Sequence, residues 1–231
     1  MRIAIADDDL EIRMFVADAL TAGGHLCVLF ANGREMITAL QRDSFDMLVI
    51  DWNMPILDGI DVIRWAYDHM SPVPPIIVLT SRADKSDVVQ ALEAGADDYI
   101  IKPEAADVIL ARVAAAFRRV GPRPSSERVE AYGPYQFDRL TSSVRYGDKN
   151  VALTAKEFAL ARLFFENFHR PLARGYILQM IWNSVADLPT RTLDMHVSRL
   201  RTKLELRPEN GYSLQTVFGF GYRLESFAEE A

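Results

Sequence analysis

One cysteine in 231 residues leaves no internal disulfide framework to support the fold, so packing must do so. That residue, Cys27, sits in the run HLCVLF, where the expected role is a small buried hydrophobe rather than a reactive thiol. No apolar run approaches the about 20 residues that a membrane-spanning helix needs. Met1-Arg2 leads straight into the strand-like IAIA, with no export or anchor pattern, so the expectation is a cytoplasmic protein with no membrane partner. Compositional bias toward disorder is also missing, since 49% hydrophobic and 25% charged residues are the balance of a globular chain. Nor is there a cationic excess: the formal net charge is −6. That total does not exclude a nucleic-acid partner, because local patches meet the phosphates. The charge is also unevenly split, with 12 Lys/Arg against 19 Asp/Glu over residues 1–126 and 14 against 13 over residues 127–231.

The length suits two domains better than one. In the first half, short apolar runs at 2–6, 25–30, 46–50, 75–79 and 98–101 alternate with helical patterns such as 10–20, closed by Gly23-Gly24, and 87–96. Runs continuous in Val and Ile imply strands buried on both faces, hence a five-stranded parallel sheet with helices on both sides. A stretch rich in Pro, Ser and charge follows the helical pattern of 105–119 and reads as a linker. The rhythm then changes. Residues 132–153 read as short antiparallel strands with a turn at Gly147-Asp148. Helical segments follow over about 154–168, 174–182 and 190–206, and residues 213–225 carry a hairpin pattern around Gly219 and Gly221.

Several strands of the first half end in polar groups: IAIA in Asp7-Asp8-Asp9, MLVI in Asp51, IIVL in Thr80-Ser81 and YII in Lys102-Pro103. In an open α/β sheet, ligands bind beyond the carboxyl ends of the strands at the switch in strand order, which is where these groups would converge. Carboxylates gathered there repel one another without a cation, and hard oxygen donors favour Mg²⁺. Asp9 reads as a helix cap rather than a ligand.

Together, D-D-D after the first strand, D-W-N-M-P after the third, T-S after the fourth and K-P after the fifth resemble the receiver domain of two-component response regulators. The resemblance implies a flavodoxin-like, doubly wound domain over residues 1–120. In it Asp51 accepts a phosphoryl group from a sensor histidine kinase, while Asp7, Asp8, Asp51 and the backbone carbonyl of Asn53 hold Mg²⁺. Lys102 neutralises the phosphate, Thr80 hydrogen-bonds it, and Tyr99 is the switch aromatic. It further implies a cis Lys102-Pro103 bond and a homodimer through a face carrying Asp97, Asp98, Arg112 and Arg119. Two departures stand out: Glu104 follows Lys102-Pro103 where Phe is common, and Val88 and Val108 replace one charged pair on the dimer face, which predicts a partly apolar, less salt-dependent dimer.

In the second half, a helix over 190–206 would stack Leu193, Val197, Leu200 and Leu204 on one face and Arg191, Met195, Ser198 and Thr202 on the other, flanked by Arg199 and Arg201. An anchored helix with an exposed cationic face fits a major groove. LTAKEF, R-T-L-D-M-H-V-S-R-L-R and Q-T-V-F-G-F-G-Y-R resemble the OmpR/PhoB-type winged helix-turn-helix domain, of α+β class, here over 132–226 with a linker at 121–131. That resemblance makes 190–206 the recognition helix, 213–225 the wing and 183–189 the loop that meets RNA polymerase. Arg199 is then the candidate for base-edge contact, and Arg191, His196, Arg201 and Lys203 are candidates for phosphate contact. Ser198 stands where an arginine is common. Phe218 and Phe220 replace polar wing residues, so either the wing aromatics pack or wedge, or Arg223 takes over the phosphate contact.

The reading is a DNA-binding transcription regulator, not an enzyme, whose phosphorylation promotes dimerisation on repeated promoter sites. A phosphatase-like enzyme with an Asp nucleophile would need a second acid two residues on, where this chain has Asn53. A constitutively dimeric, phosphorylation-independent regulator of the same architecture is the remaining alternative.

Overall fold

A computed structural model of the chain describes residues 1–81, 85–120, 128–182 and 190–227. The chain splits into two compact units, Met1–Pro122 and Arg123–Ala231. The first alternates strand and helix throughout: β1 (Arg2–Ala6), α1 (Leu10–Ala22), β2 (Leu26–Phe30), α2 (Gly33–Leu40), β3 (Met47–Asp51), α3 (Gly59–His69), β4 (Ile76–Thr80), α4 (Lys85–Glu93), β5 (Asp98–Ile101) and α5 (Ala106–Val120). Its strands form one parallel sheet in the order β2-β1-β3-β4-β5.

The three central strands are buried along their whole length, as their unbroken Val and Ile runs require. Alternate residues serve opposite layers. Ala4, Leu48, Ile50 and Val78 pack with Met36, Val62 and Ile63 of α2 and α3, while Ile5, Val49, Ile77 and Leu79 pack with Leu20, Ile109 and Val113 of α1 and α5. The order reverses between β1 and β3, so a crevice opens at their carboxyl ends. Cys27, on edge strand β2, is half-buried rather than buried, and burial pushes its thiol pKa up.

The second unit comprises β6 (Val129–Tyr132), β7 (Tyr135–Asp138), β8 (Ser143–Tyr146), β9 (Lys149–Ala152), α6 (Ala155–Phe165), β10 (Leu172–Ala173), α7 (Arg174–Trp182), α8 (Thr190–Lys203), β11 (Tyr212–Val217) and β12 (Gly221–Ser226). Strands β6 to β9 form an antiparallel sheet, and β10-β12-β11 form a second. The turn at Gly147-Asp148 joins β8 to β9, with Gly147 at φ +53°. Leu193, Val197, Leu200 and Leu204, the expected inner face of α8, are all fully buried.

Several boundaries differ from the sequence reading. Residues 129–131, read as the end of the linker, belong to β6: Glu130 is buried there and pairs with Arg162 of α6 at 2.8 Å, so a charge that resembled solvated linker is an internal ion pair. Helices α6 and α8 are shorter than expected. Beyond α8, Glu205 turns to φ +51°, which ends the helical backbone before residue 206.

Candidate functional site

The carboxyl ends of β1, β3 and β5 deliver the site. Asp7 follows β1, Asp51 is the last residue of β3, and Lys102 follows β5. The Lys102 ammonium lies 2.6 Å from Asp7 Oδ2 and 2.8 Å from Asp51 Oδ1, bridging groups 95 and 51 residues away in sequence. Asp8 completes the cluster: oxygens of Asp7, Asp8 and Asp51 lie within 4.8 Å of one another, with Asp7 and Asp51 buried and Asp8 exposed. Burial pushes the Asp51 carboxyl from its ordinary 3.8 up to about 6; Lys102 pulls it down, and Asp7 and Asp8 raise it. The group lines a recess of about 730 Å³ that also takes in Asn53 and Ser81.

Supporting residues keep these groups in place. Asp9 caps α1, its side chain accepting from the N–H of Glu11 and Ile12, which leaves Asp7 and Asp8 to the cluster. Thr80 is buried at the end of β4. Tyr99 is half-buried and packs on the layer beneath α2 and α3. The Lys102–Pro103 peptide is cis. Gly59, which opens α3, donates its N–H to Trp52 O at 3.0 Å, and a Cβ there would stand 2.3 Å from the backbone oxygen of Asp51. The sequence reading missed this glycine, although the pair Asp58-Gly59, seven and eight residues after Asp51, marks the tight approach.

On the face formed by α4, β5 and α5, the charged residues are already paired within the chain. Arg112 contacts both Asp98 oxygens at 3.1 Å, Arg119 donates to Asp97 O, and the Asp97 carboxylate accepts from the N–H of Ile76. Beside them Val89, Leu92 and Ile101 are exposed by 50%, 44% and 39%, and Val108 is half-buried. The side chain of Val88 lies outside the described residues.

In the second unit the outer face of α8 exposes Arg191, Met195, Ser198, Arg199 and Thr202. Other predicted contacts are committed inside the domain. Arg201 donates to Leu214 O at 2.6 Å and Thr216 Oγ1 at 3.0 Å, and lies over the Tyr222 ring. Lys203 pairs at 2.8 Å with Glu157, a residue 1% exposed. Burial opposes the charge on Glu157, but Lys203 and the cap at Thr154 outweigh it and hold its pKa below the usual range. His196 is half-buried, edge-on to Trp182 at 5.2 Å, and Arg223 pairs with Glu225. Residues 183–189, expected to meet RNA polymerase, lie outside the described residues.

Residues 3–114 match the family model of the response regulator receiver domain, and residues 148–224 that of the transcriptional regulatory protein C-terminal domain. The chain is 37% identical over 227 residues to the response regulator MprA of Mycobacterium leprae, covering 97% of this chain and 98% of that one. The chain belongs to the OmpR/PhoB-type response regulators. A second relative, the phosphate regulon transcriptional regulatory protein PhoB of Pseudomonas aeruginosa, is 33% identical over 225 residues, 97% of each chain. A two-component response regulator from Clostridium difficile has the same receiver fold, with a TM-score of 0.50 at 24% identity over 53% of this chain and 99% of that one. This response regulator therefore joins a receiver to a DNA-binding domain, an arrangement that implies a histidine kinase and DNA as partners. Among the described residues, no helix is long and apolar enough to cross a membrane.

Proposed function

We propose that Asp51 is the phosphoacceptor of this regulator and that its modification drives dimerisation and promoter binding. The observation that carries the proposal is the Lys102 ammonium set between Asp7 and Asp51 at the mouth of the sheet. An Asp51 oxygen forms the new P–O bond as the P–N bond to the kinase histidine breaks; the imidazole keeps the electron pair and takes a proton from water. Lys102 then has an additional anionic oxygen to pair with, Thr80 supplies a hydroxyl from β4, and Tyr99 follows Thr80 inward. The three clustered carboxylates suit a hard divalent cation, and Asp7, Asp8, Asp51 and the Asn53 carbonyl would hold Mg²⁺. When bound it offsets charge on the transferring group. The test is treatment with Mg²⁺ and a small acyl phosphate, comparing oligomeric state and DNA binding with Asp51→Asn; identical behaviour of the two would favour the constitutive dimer.

The dimer forms through α4, β5 and α5. Because Arg112 and Arg119 already have partners within the chain, exchanging those bonds across a subunit boundary gains little, whereas covering Val89, Leu92, Ile101 and Val108 removes apolar surface from water. The phosphorylated dimer is expected to survive a rise from about 0.1 M to about 0.5 M salt with its dissociation constant changed less than about threefold. Analytical ultracentrifugation at both salts measures this, and steep dissociation would refute it.

Recognition of repeated promoter sites falls to α8. Arg199, exposed and without an ion-pair partner among the described residues, reads base edges, and Arg191 meets phosphate. Arg201 clasps the hairpin of β11 and β12 to α8 instead of binding phosphate freely. Arg199→Ala is expected to lose about tenfold in target over random DNA at unchanged melting temperature. Arg201→Ala is expected to cost about 1 kcal/mol of stability as well as affinity. Competition binding and thermal melts separate the two, and equal melting temperatures for both variants would sink the division. The segment 183–189 is proposed as the contact with RNA polymerase.

A further inference from the structure

The hairpin of β11 and β12 is clamped to α8 at Leu214 and, nearer its tip, at the rung that pairs Thr216 with Tyr222. Thr216 and Tyr222 face each other across the two strands; Thr216 receives Arg201, while the Tyr222 hydroxyl donates to Asp194, seven residues earlier on the same side of α8. Asp194 is itself held by Arg174 at the start of α7. The rung therefore has a fixed place along the helix, and the strands continue beyond it to a short tip. Gly219 takes φ +72° there and turns the chain. Of the two tip aromatics, Phe220 turns back and packs against the domain core. Phe218 does the opposite and is 100% exposed.

Phe218 thus stands clear of the domain at the end of a braced hairpin, beside the helix that the proposed function sets on DNA. The seven residues from Thr216 to Tyr222 carry no charge, so this tip offers a phosphate no cationic side chain. The nearest cation on the hairpin, Arg223, is paired with Glu225. With α8 in a major groove, a tip fixed beside it meets the neighbouring minor groove, where an apolar side chain acts by entering a base step and partly unstacking it. We infer that Phe218 is a minor-groove wedge that opens and bends one base step beside the half-site read by α8. This makes it a determinant of affinity and of sequence preference through deformability, concentrated on pyrimidine–purine steps, rather than through hydrogen bonds.

The inference rests on the reading of α8 as a DNA-binding helix, and the test separates the two. Duplexes are selected by the full-length wild-type chain, treated with Mg²⁺ and a small acyl phosphate, from a random-sequence pool. A 2-aminopurine is then placed in turn at each step flanking the major-groove half-site. The wild type is expected to brighten the probe at one step and to bend the duplex in a gel-phasing assay. Phe218→Ala should bind about tenfold more weakly, leave the probe dark and lose the bend, while keeping the same melting temperature and the same dependence on salt. Phe218→Leu, which retains an apolar wedge, should restore part of the bend. Failure of the wild type to select any duplex would overturn the DNA-binding reading itself. Selection of a duplex that Phe218→Ala binds and bends as the wild type does would overturn the wedge alone. A salt dependence that flattens in Phe218→Ala would overturn it as well, because it would assign the tip to the phosphates.

Discussion

Asp51→Asn is expected to abolish phosphate uptake from a small acyl phosphate, with incorporation falling at least about a hundredfold, because the amide lacks the anionic oxygen that must form the P–O bond. Mass spectrometry of the intact chain reads the result directly, and a full-occupancy adduct on the variant would refute the assignment. The same substitution should make the first domain more stable in metal-free buffer at about pH 7.5. Burial holds the Asp51 pKa near 6 against an ordinary 3.8, so keeping that carboxylate charged in the fold costs up to about 3 kcal/mol. The sign follows from the direction: a raised folded pKa contributes stability that is fully present below 3.8 and lost as pH rises through about 6. The advantage of Asp51→Asn in a chelator-containing melt should therefore shrink as pH falls from about 7.5 to about 5. An advantage that grows toward acid would show that the Lys102 pairing, not burial, dominates the site.

Gly59→Ala should damage both stability and chemistry from a position that bears no reactive group. The added Cβ would stand 2.3 Å from the Asp51 carbonyl oxygen and 3.2 Å from its carbonyl carbon, inside contact distance of backbone that cannot rotate away. Either the start of α3 or the end of β3 must move, and the N–H of Gly59 that now reaches Trp52 O moves with it. Overpacking of this kind costs about 2 to 3 kcal/mol. Because the displaced strand end carries Asp51, phosphate uptake should fall even in the fraction that remains folded. Urea unfolding and uptake rates corrected for folded fraction test both halves. A loss of stability under about 0.5 kcal/mol with normal uptake would show that the strand end tolerates the shift.

The parts of the molecule legible in the sequence are those whose cause is local. The apolar runs of β1, β3 and β4 are unbroken because both faces are covered, and a carboxylate directly after such a run can only sit at the sheet's mouth. Asp9 as a cap and the alternation along α8 are equally short-range. What escaped depends on residues far apart. Glu130 looked like linker charge because Arg162, its partner, lies 32 residues on. Lys203 sits on α8 among exposed cations, yet Glu157, 46 residues back, draws it inward. Arg201 is likewise spent on Leu214 and Thr216. The two-residue strand β10 has no periodicity to read at all. Periodicity places a side chain on a face, but only the partner decides whether its charge is free.

The clasp of Arg201 on the hairpin has a consequence for evolution of binding sites. On the proposed reading, in which α8 enters one groove and the hairpin tip the next, the two are joined by Arg201, Tyr222 and Asp194 into a caliper whose jaws are set before DNA arrives. A caliper measures as well as grips: a promoter in which the two features stand slightly too close or too far must pay in bending what the protein will not yield. Insertions of one base pair between them should therefore be punished more severely than base changes within either, and drifting promoters would lose this regulator through altered spacing sooner than through altered letters.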